Sequence, residues 1–400
     1  MFPVVVLFSN DSLMYKYGKQ NIEEDDINAV VQTLQSDWLT QGPEVERFEE
    51  ALRTEFGAVY ACAVANGTAA LHLTAMALGW KTEDIVITSP ITFLASANCI
   101  AYVGTIPDFV DIDPARYTVD PNQLEKKVKS YRTKGKNVKA IVAVDYAGYP
   151  CDWKALRDIA DRYDLQLVND NCHALGASYE GDTQYAIKYA DVITQSFHPV
   201  KHITTGEGGA VLTNIAEIDE KIRLLRTHGM TKNLNLMEKN DGPWYYEMVE
   251  LGYNYRVTDF QCSLGISQLQ KLGKFVESRR DIALRYDQAF ADENCFIVPA
   301  VLDNVEHAYH LYPLQVKFDE IHMSRKELFI KLEEKQIKPQ VHYIPVHLQP
   351  YYMKKYGFKK GDFPVSEKFY GREISLPMYP TLTNDDQKII TQSLYDVLDE

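Results

Sequence analysis

Hydrophobic residues along this chain change their spacing several times, and each change marks an element. Between residues 60 and 215, short β-branched runs alternate with stretches whose apolar positions recur at helical spacing. Ile85-Val86-Ile87 precedes a helical pattern over 93–102, and Phe109-Val110 precedes one over 122–129. Residues 140–144 precede a third over 151–163, and a strand over 166–170 follows. This βαβα rhythm predicts an α/β fold with a mostly parallel central sheet sandwiched by helices. Farther on, 210–213 reads as a strand and 218–226 as a helix. Helical periodicity then runs through 255–285, with apolar residues at Ile266, Leu269 and Leu272. From about Cys295 a short strand (314–316) mixes with helices (325–334 and 385–398), the pattern of a smaller α+β unit. The expected division is an N-terminal extension (1–16), a large domain (17–270) and a small C-terminal domain (271–400). No low-complexity tract or solenoid-spaced repeat interrupts it.

At 400 residues, 46% hydrophobic and 24% charged, the chain can bury a full-sized core and exceeds one small domain. Lys and Arg number 42 against 56 Asp and Glu, a net charge of -14. That balance argues against nucleic acid or a membrane surface as partner, since both present anionic groups; local basic pockets for an anionic substrate remain compatible with it. Cys62, Cys99, Cys151, Cys172, Cys262 and Cys295 show neither CxxC pairing nor metal-ligand spacing. Reduced thiols in a cytoplasm are therefore expected, with no disulfide framework and no metal. The apolar run 2–8 lacks a basic flank, is too short to span a bilayer and gives way to Ser9, Asn10 and Asp11. It reads as an extension of the folded domain rather than as a signal.

Four local features bear on chemistry. Asn66-Gly67-Thr68-Ala69-Ala70-Leu71 is a polar and glycine entry to a helical pattern. Free N–H groups and the positive end of a helix dipole would face a phosphate there, and Gly67 would let it approach; read alone, the stretch is also an ordinary N-cap. Asp170 closes the strand over 166–170, at the edge where ligands gather in open α/β sheets. A carboxylate paired with a pyridine nitrogen would keep that ring protonated. A helix cap is its plainer role, and a hydrogen-bonded structural one suits His173 as well. In Ser196-Phe197-His198-Pro199-Val200-Lys201, followed by Gly206-Glu207-Gly208-Gly209, a lysine sits in a turn between two apolar strands. There its amine can be desolvated and nucleophilic, and Ser196 could donate to the same phosphate. Finally, Gly252-Tyr253-Asn254-Tyr255-Arg256-Val257-Thr258-Asp259 opens a helix with aromatic, amide and guanidinium groups, fit for a phosphate-facing or interface element or simply for packing. Together the four ask for a phosphate-bearing cofactor whose ring nitrogen stays protonated, with Lys201 as imine former and proton shuttle.

From about Tyr17 to the C-terminus, these motifs, in order with Trp38-Leu39-Thr40-Gln41-Gly42-Pro43 and Thr92-Phe93, resemble the sugar-nucleotide aminotransferases of the DegT/DnrJ family. That family is a branch of the fold-type I pyridoxal-phosphate (PLP) enzymes. The resemblance implies that the large domain binds pyridoxal 5′-phosphate, joined to Lys201 as a Schiff base. Asp170 would be the pyridinium partner, Phe93 would stack on the ring, and His173 would lie near the ring hydroxyl. Gly67, Thr68 and Ser196 would bind the phosphate within one subunit while Asn254 reaches it from the other, so a homodimer with shared active sites is implied. Within the family, the stretch from Ser196 to Gly209 and Trp244-Tyr245-Tyr246-Glu247-Met248 are most similar to the branch that serves the pseudaminic acid pathway. This implies amination at C4 of a UDP-linked 2-acetamido-2,6-dideoxy-4-keto hexose, with L-glutamate as donor. Lys16, Arg226, His228, Arg256 and His310 are candidate nucleotide contacts. Asn169-Asp170-Asn171 departs from the Glu-Asp-Ala common in relatives, keeping the acid while changing its neighbours. Other readings stay open: a 3-keto, GDP- or dTDP-linked sugar, the other C4 epimer, or a non-catalytic PLP-binding regulator, which retention of Lys201 and Asp170 disfavours. A sugar dehydrase would carry histidine in place of Lys201, and a Rossmann oxidoreductase would need a GxGxxG after its first strand, which is missing.

Overall fold

Seven strands organise the molecule: β1 (Tyr60–Val64), β2 (Ile85–Thr88), β3 (Ile106–Phe109), β4 (Val138–Val144), β5 (Gln166–Asp170), β6 (Val192–Ser196) and β7 (Gly209–Thr213). The computed structural model, which describes residues 14–399, pairs them in the order β1-β7-β6-β5-β4-β2-β3. Pairings from β3 through β6 are parallel, whereas β7 runs antiparallel to both β6 and β1. Alternate residues of each strand enter different cores. Val86, Val142, Val168 and Val211 pack on one face under α1 (Gly67–Ala77), α2 (Leu94–Tyr102) and the helix Ala216–Arg226. Ile87, Ile141, Leu167 and Leu212 pack on the other, under the helices Pro43–Phe56, Pro121–Thr133 and Trp153–Tyr163. Burial on both faces is why the strands read as continuous apolar runs rather than as alternations.

A separate core gathers around a three-stranded antiparallel sheet of Phe296–Ile297, Tyr312–Val316 and Glu373–Leu376. The helix Leu272–Phe290 serves both units: Phe275 and Val276 enter the core of the large sheet, and Ile282, Tyr286 and Phe290 enter the smaller one. Of the expected N-terminal extension, residues 1–13 with the apolar run 2–8 lie outside the described residues. Tyr15–Lys16 form a short strand paired in parallel with Ile337–Lys338.

The helical periodicity expected through 255–285 resolves into two helices, Asp259–Leu269 and Leu272–Phe290. A capping box between Thr258 and Gln261 sets the later start. The Asp259 carboxylate accepts the Gly42 and Glu44 N–H groups at 2.8 and 3.0 Å, tying that start to a neighbouring helix. At the break, Lys271 turns toward Asp25 and buried Asp26, at 2.7 and 2.8 Å. No helix among the described residues is long and apolar enough to cross a membrane.

Candidate active site

The carboxyl ends of β4, β5 and β6, together with the starts of α1 and α2, open onto a cavity of about 640 Å³. At the start of α1 the Asn66 side chain accepts the Ala69 N–H at 2.8 Å, and the first intrahelical bond runs from Ala70 N–H to the Asn66 carbonyl. The N–H groups of Gly67 and Thr68 come before that bond, on the cavity wall, as orphan donors at the positive helix end. A Cβ at Gly67 would stand 2.8 Å from Ser196 Cβ, so glycine is what lets the helix start meet that serine. Gly209 serves the same approach, because a Cβ there would lie 2.5 Å from the Asn66 carbonyl. Two free amides and a hydroxyl at a helix N-terminus form a cup that fits a phosphate.

Asp170, buried at the end of β5, is fixed on both oxygens. Oδ2 accepts Ser96 Oγ at 2.6 Å, and Oδ1 accepts the Cys172 N–H at 3.3 Å. Thr92 Oγ1 in turn bonds Ser96 Oγ at 2.7 Å. Lys201 is partly buried, and desolvation lowers its amine below the usual lysine pKa, opposed by the nearby Cys172 and Asp170. Its Nζ lies 3.5 Å from His310 Nε2. His173 is buried and accepts the Ala147 N–H on Nδ1 at 3.2 Å. Burial, then the charge on Lys201, holds its pKa well below the imidazole range, so it stays neutral with its proton on Nε2, 3.2 Å from the Tyr343 hydroxyl. Phe93 is 54% exposed on the cavity wall, its ring 6.0 Å from that of Tyr343.

Gly67, Thr68, Phe93, Asp170, His173, Ser196 and Lys201 all line this one cavity. Asn254 does not; it is exposed elsewhere, its backbone bridged to Thr227. Among the five nucleotide candidates, His310 lines the cavity, while Arg226 and Arg256 line another of about 440 Å³, where Arg226 pairs with Glu49 at 2.9 Å. Sequence reasoning passed over Tyr17, Ser96, His342 and Tyr343. Ser96 follows Thr92 at helical spacing, which is a findable signal, but Val341-His342-Tyr343-Ile344 has neither strand alternation nor helical period. The departure at Asn171 belongs to packing. Its Nδ2 donates to Asp145 and to Tyr185 at 2.9 Å each, beside an Asp145 carboxyl that burial pushes up to about 6.

A desolvated lysine amine, an anchored carboxylate and a phosphate cup along one edge of a parallel sheet suit amine transfer through pyridoxal phosphate, the work of the PLP-dependent aminotransferases. The profile of the DegT/DnrJ/EryC1/StrS aminotransferase family matches residues 20–395, and the chain belongs to that family. Solved structures similar to this chain include PLP and PMP forms. An uncharacterized protein of Methanocaldococcus jannaschii is 41% identical over 379 residues, 95% of this chain and 96% of its own length. The UDP-4-amino-4,6-dideoxy-N-acetyl-beta-L-altrosamine transaminase of Campylobacter jejuni serotype O:2 is 38% identical over 388 residues, 97% of this chain and 98% of its own. Helicobacter pylori PseC, an aminotransferase involved in the biosynthesis of pseudoaminic acid, superposes with a TM-score of 0.86 at 31% identity, covering 96% of this chain and 99% of that one.

Proposed function

We propose that this protein aminates C4 of a UDP-linked 2-acetamido-2,6-dideoxy-4-keto hexose, with L-glutamate as donor, in the synthesis of pseudaminic acid-type glycan precursors. Likeness over nearly the whole chain to the Campylobacter transaminase and to PseC supports the substrate. The observation that carries the chemistry is Lys201 and Asp170 on the wall of the cavity that also holds the Gly67 and Ser196 cup. When bound, PLP supplies an electron sink for the carbon that gains or loses nitrogen. Lys201 holds that group covalently through its amine and, once released, moves the proton at the reacting carbon. Asp170, oriented by Ser96 and the Cys172 N–H, keeps the ring nitrogen protonated. His173, held neutral, and Phe93 would flank the ring, while Gly67, Thr68 and Ser196 would hold the phosphate. Asn254 is assigned to the phosphate of the other subunit, which makes the working unit a homodimer. In this reading residues 17–270 bind the cofactor, 271–400 add His310 and Tyr343, and the enzyme works in the cytoplasm.

The test supplies the PLP-loaded protein with glutamate and a panel of keto sugar nucleotides, identifying products by NMR. The expected product is the UDP-linked 4-amino sugar. Amination of a 3-keto, GDP- or dTDP-linked sugar in preference to it would overturn the substrate assignment.

A further inference from the structure

Behind Lys201 lies a buried group of imidazoles and one guanidinium, of which the reaction as described gives a task only to His173. His310 is 3% exposed; its Nε2 meets Lys201 Nζ and its Nδ1 has no protein partner. The ring packs 4.3 Å from that of His173 and 5.7 Å from that of His202, centroid to centroid. Arg279 is fully buried behind the same backbone. Its Nη1 donates to the carbonyls of Tyr309, His310 and Met378 at 3.2, 3.3 and 3.0 Å, while its Nε and Nη2 find no partner.

A guanidinium stays charged, and with no carboxylate beside it among the described residues it raises the positive potential around His310. Desolvation first, then Lys201, His173, His202 and Arg279, keeps His310 well below the ordinary imidazole pKa. His310 therefore meets the lysine as a neutral ring. Asp170, at the end of β5, favours the charged form of the lysine amine, and His310 Nε2 offers that amine an acceptor.

We propose that His310 is a catalytic residue: its Nε2 accepts a hydrogen bond from the Lys201 amine whenever that amine is not joined to the cofactor, and steadies the ammonium formed when the lysine takes a proton from the reacting carbon. This rests on the assignment of Lys201 made above. The proton leaves carbon for Nζ, an N–H of the resulting ammonium points to Nε2, and a proton returns from Nζ to carbon. His310 keeps its own proton on Nδ1 throughout, and no bond to it forms or breaks. A separation of 3.5 Å is long for a hydrogen bond and suits a contact taken up and released in every cycle. Arg279 acts as a positioning residue, fixing the backbone at Tyr309 and His310 and discouraging the ring from keeping the proton.

Two variants and one wild-type measurement test this. His310→Phe keeps ring packing and removes the acceptor; His310→Gln keeps an oxygen that can accept. With the PLP-loaded proteins and α-deuterated glutamate, wash-out of deuterium should slow roughly 10²-fold in His310→Phe, while borohydride trapping of the cofactor is unchanged, and His310→Gln should recover most of the rate. In cofactor-free wild-type protein labelled with 15N-histidine, NMR should find His310 neutral with its proton on Nδ1 between about pH 6 and 9, and its Nε2 resonance should move in Lys201→Ala. Wild-type wash-out in His310→Phe, or a proton on Nε2, would overturn the proposal. Should the wild-type protein itself resist borohydride trapping, the assignment of Lys201 fails instead, and the NMR result still decides the contact.

Discussion

The two sides of the cavity are held in place by different means. On the strand side, Gly67, Asp170 and Ser196 stand where elements begin or end, and local bonds such as Ser96 to Asp170 complete their placement. Across the cavity, His310 and residues 340–344 belong to connecting segments, which buried polar groups distant in sequence must anchor. Glu373 accepts the His342 N–H at 2.8 Å and the Ser375 hydroxyl; the Tyr146 hydroxyl donates to the His342 carbonyl, and Arg279 grips the backbone at His310. A sheet edge positions side chains through its own ladder, whereas a loop with no ladder needs every buried polar group satisfied some other way. Substitutions on the strand side should therefore strike the chemistry, and those on the loop side, His310 at the Lys201 amine apart, should strike stability and alignment.

The sharpest break with wild-type behaviour belongs to Lys201→Ala. Its kcat should fall at least about 10³-fold with little change in Tm, read by steady-state kinetics and thermal unfolding. A variant that kept more than a tenth of wild-type turnover would undo the assignment of the chemistry to Lys201. Next in size is Glu373→Gln. Burial pushes the Glu373 carboxyl up to about 8 from the usual glutamate range. Such a group binds its proton more tightly when folded, so the stability it contributes is complete at low pH and is lost as pH rises toward 8. Glutamine stays neutral throughout. Denaturant unfolding at about pH 5, 7 and 9 should show the variant gaining on the wild type by a few kcal/mol with rising pH. Identical pH dependence in both proteins would count against a buried carboxyl anchoring the loop. Third is Ser96→Ala, which takes a charge-assisted hydrogen bond from Asp170; a loss of about 2 kcal/mol corresponds to roughly 30-fold in kcat.

The same contrast explains what could be read from the chain. β5 matched its expected bounds because Leu167 and Val168 form a buried run that a polar residue closes at the sheet edge. Lys201 was visible through its neighbours, above all the glycines that let β7 pass close to Asn66. β1 was harder to see, since Tyr60-Ala61-Cys62-Ala63-Val64 has few β-branched residues and owes its strand to burial beside β7. Nothing local marked Tyr343, whose partner His173 is 170 residues away, and Arg279 reads as an ordinary helix charge until folding buries it. Local pattern encodes elements and their ends; it does not encode which connecting segment will close the far wall.

Tyr343→Phe tests the loop side most gently. His173 accepts the Ala147 N–H on Nδ1, so its single proton is on Nε2 and the Tyr343 oxygen is its acceptor. Phenylalanine keeps the ring that faces Phe93 and removes that oxygen alone. A neutral hydrogen bond of this kind is worth about 1 kcal/mol net, so kcat should fall roughly fivefold, with KM for glutamate unchanged. Burial keeps the Tyr343 hydroxyl pKa well above the usual phenol value, and His173 is held neutral, so the ratio of variant to wild type should stay flat between about pH 6 and 9. Loss smaller than that of Ser96→Ala fits a Tyr343 that aligns an already neutral imidazole, while Ser96 supports a charged carboxylate. If Tyr343→Phe proved the more damaging of the two, or its effect changed with pH, Tyr343 would join His310 in serving the proton step, and residues 340–344 could no longer be read as an aligning wall.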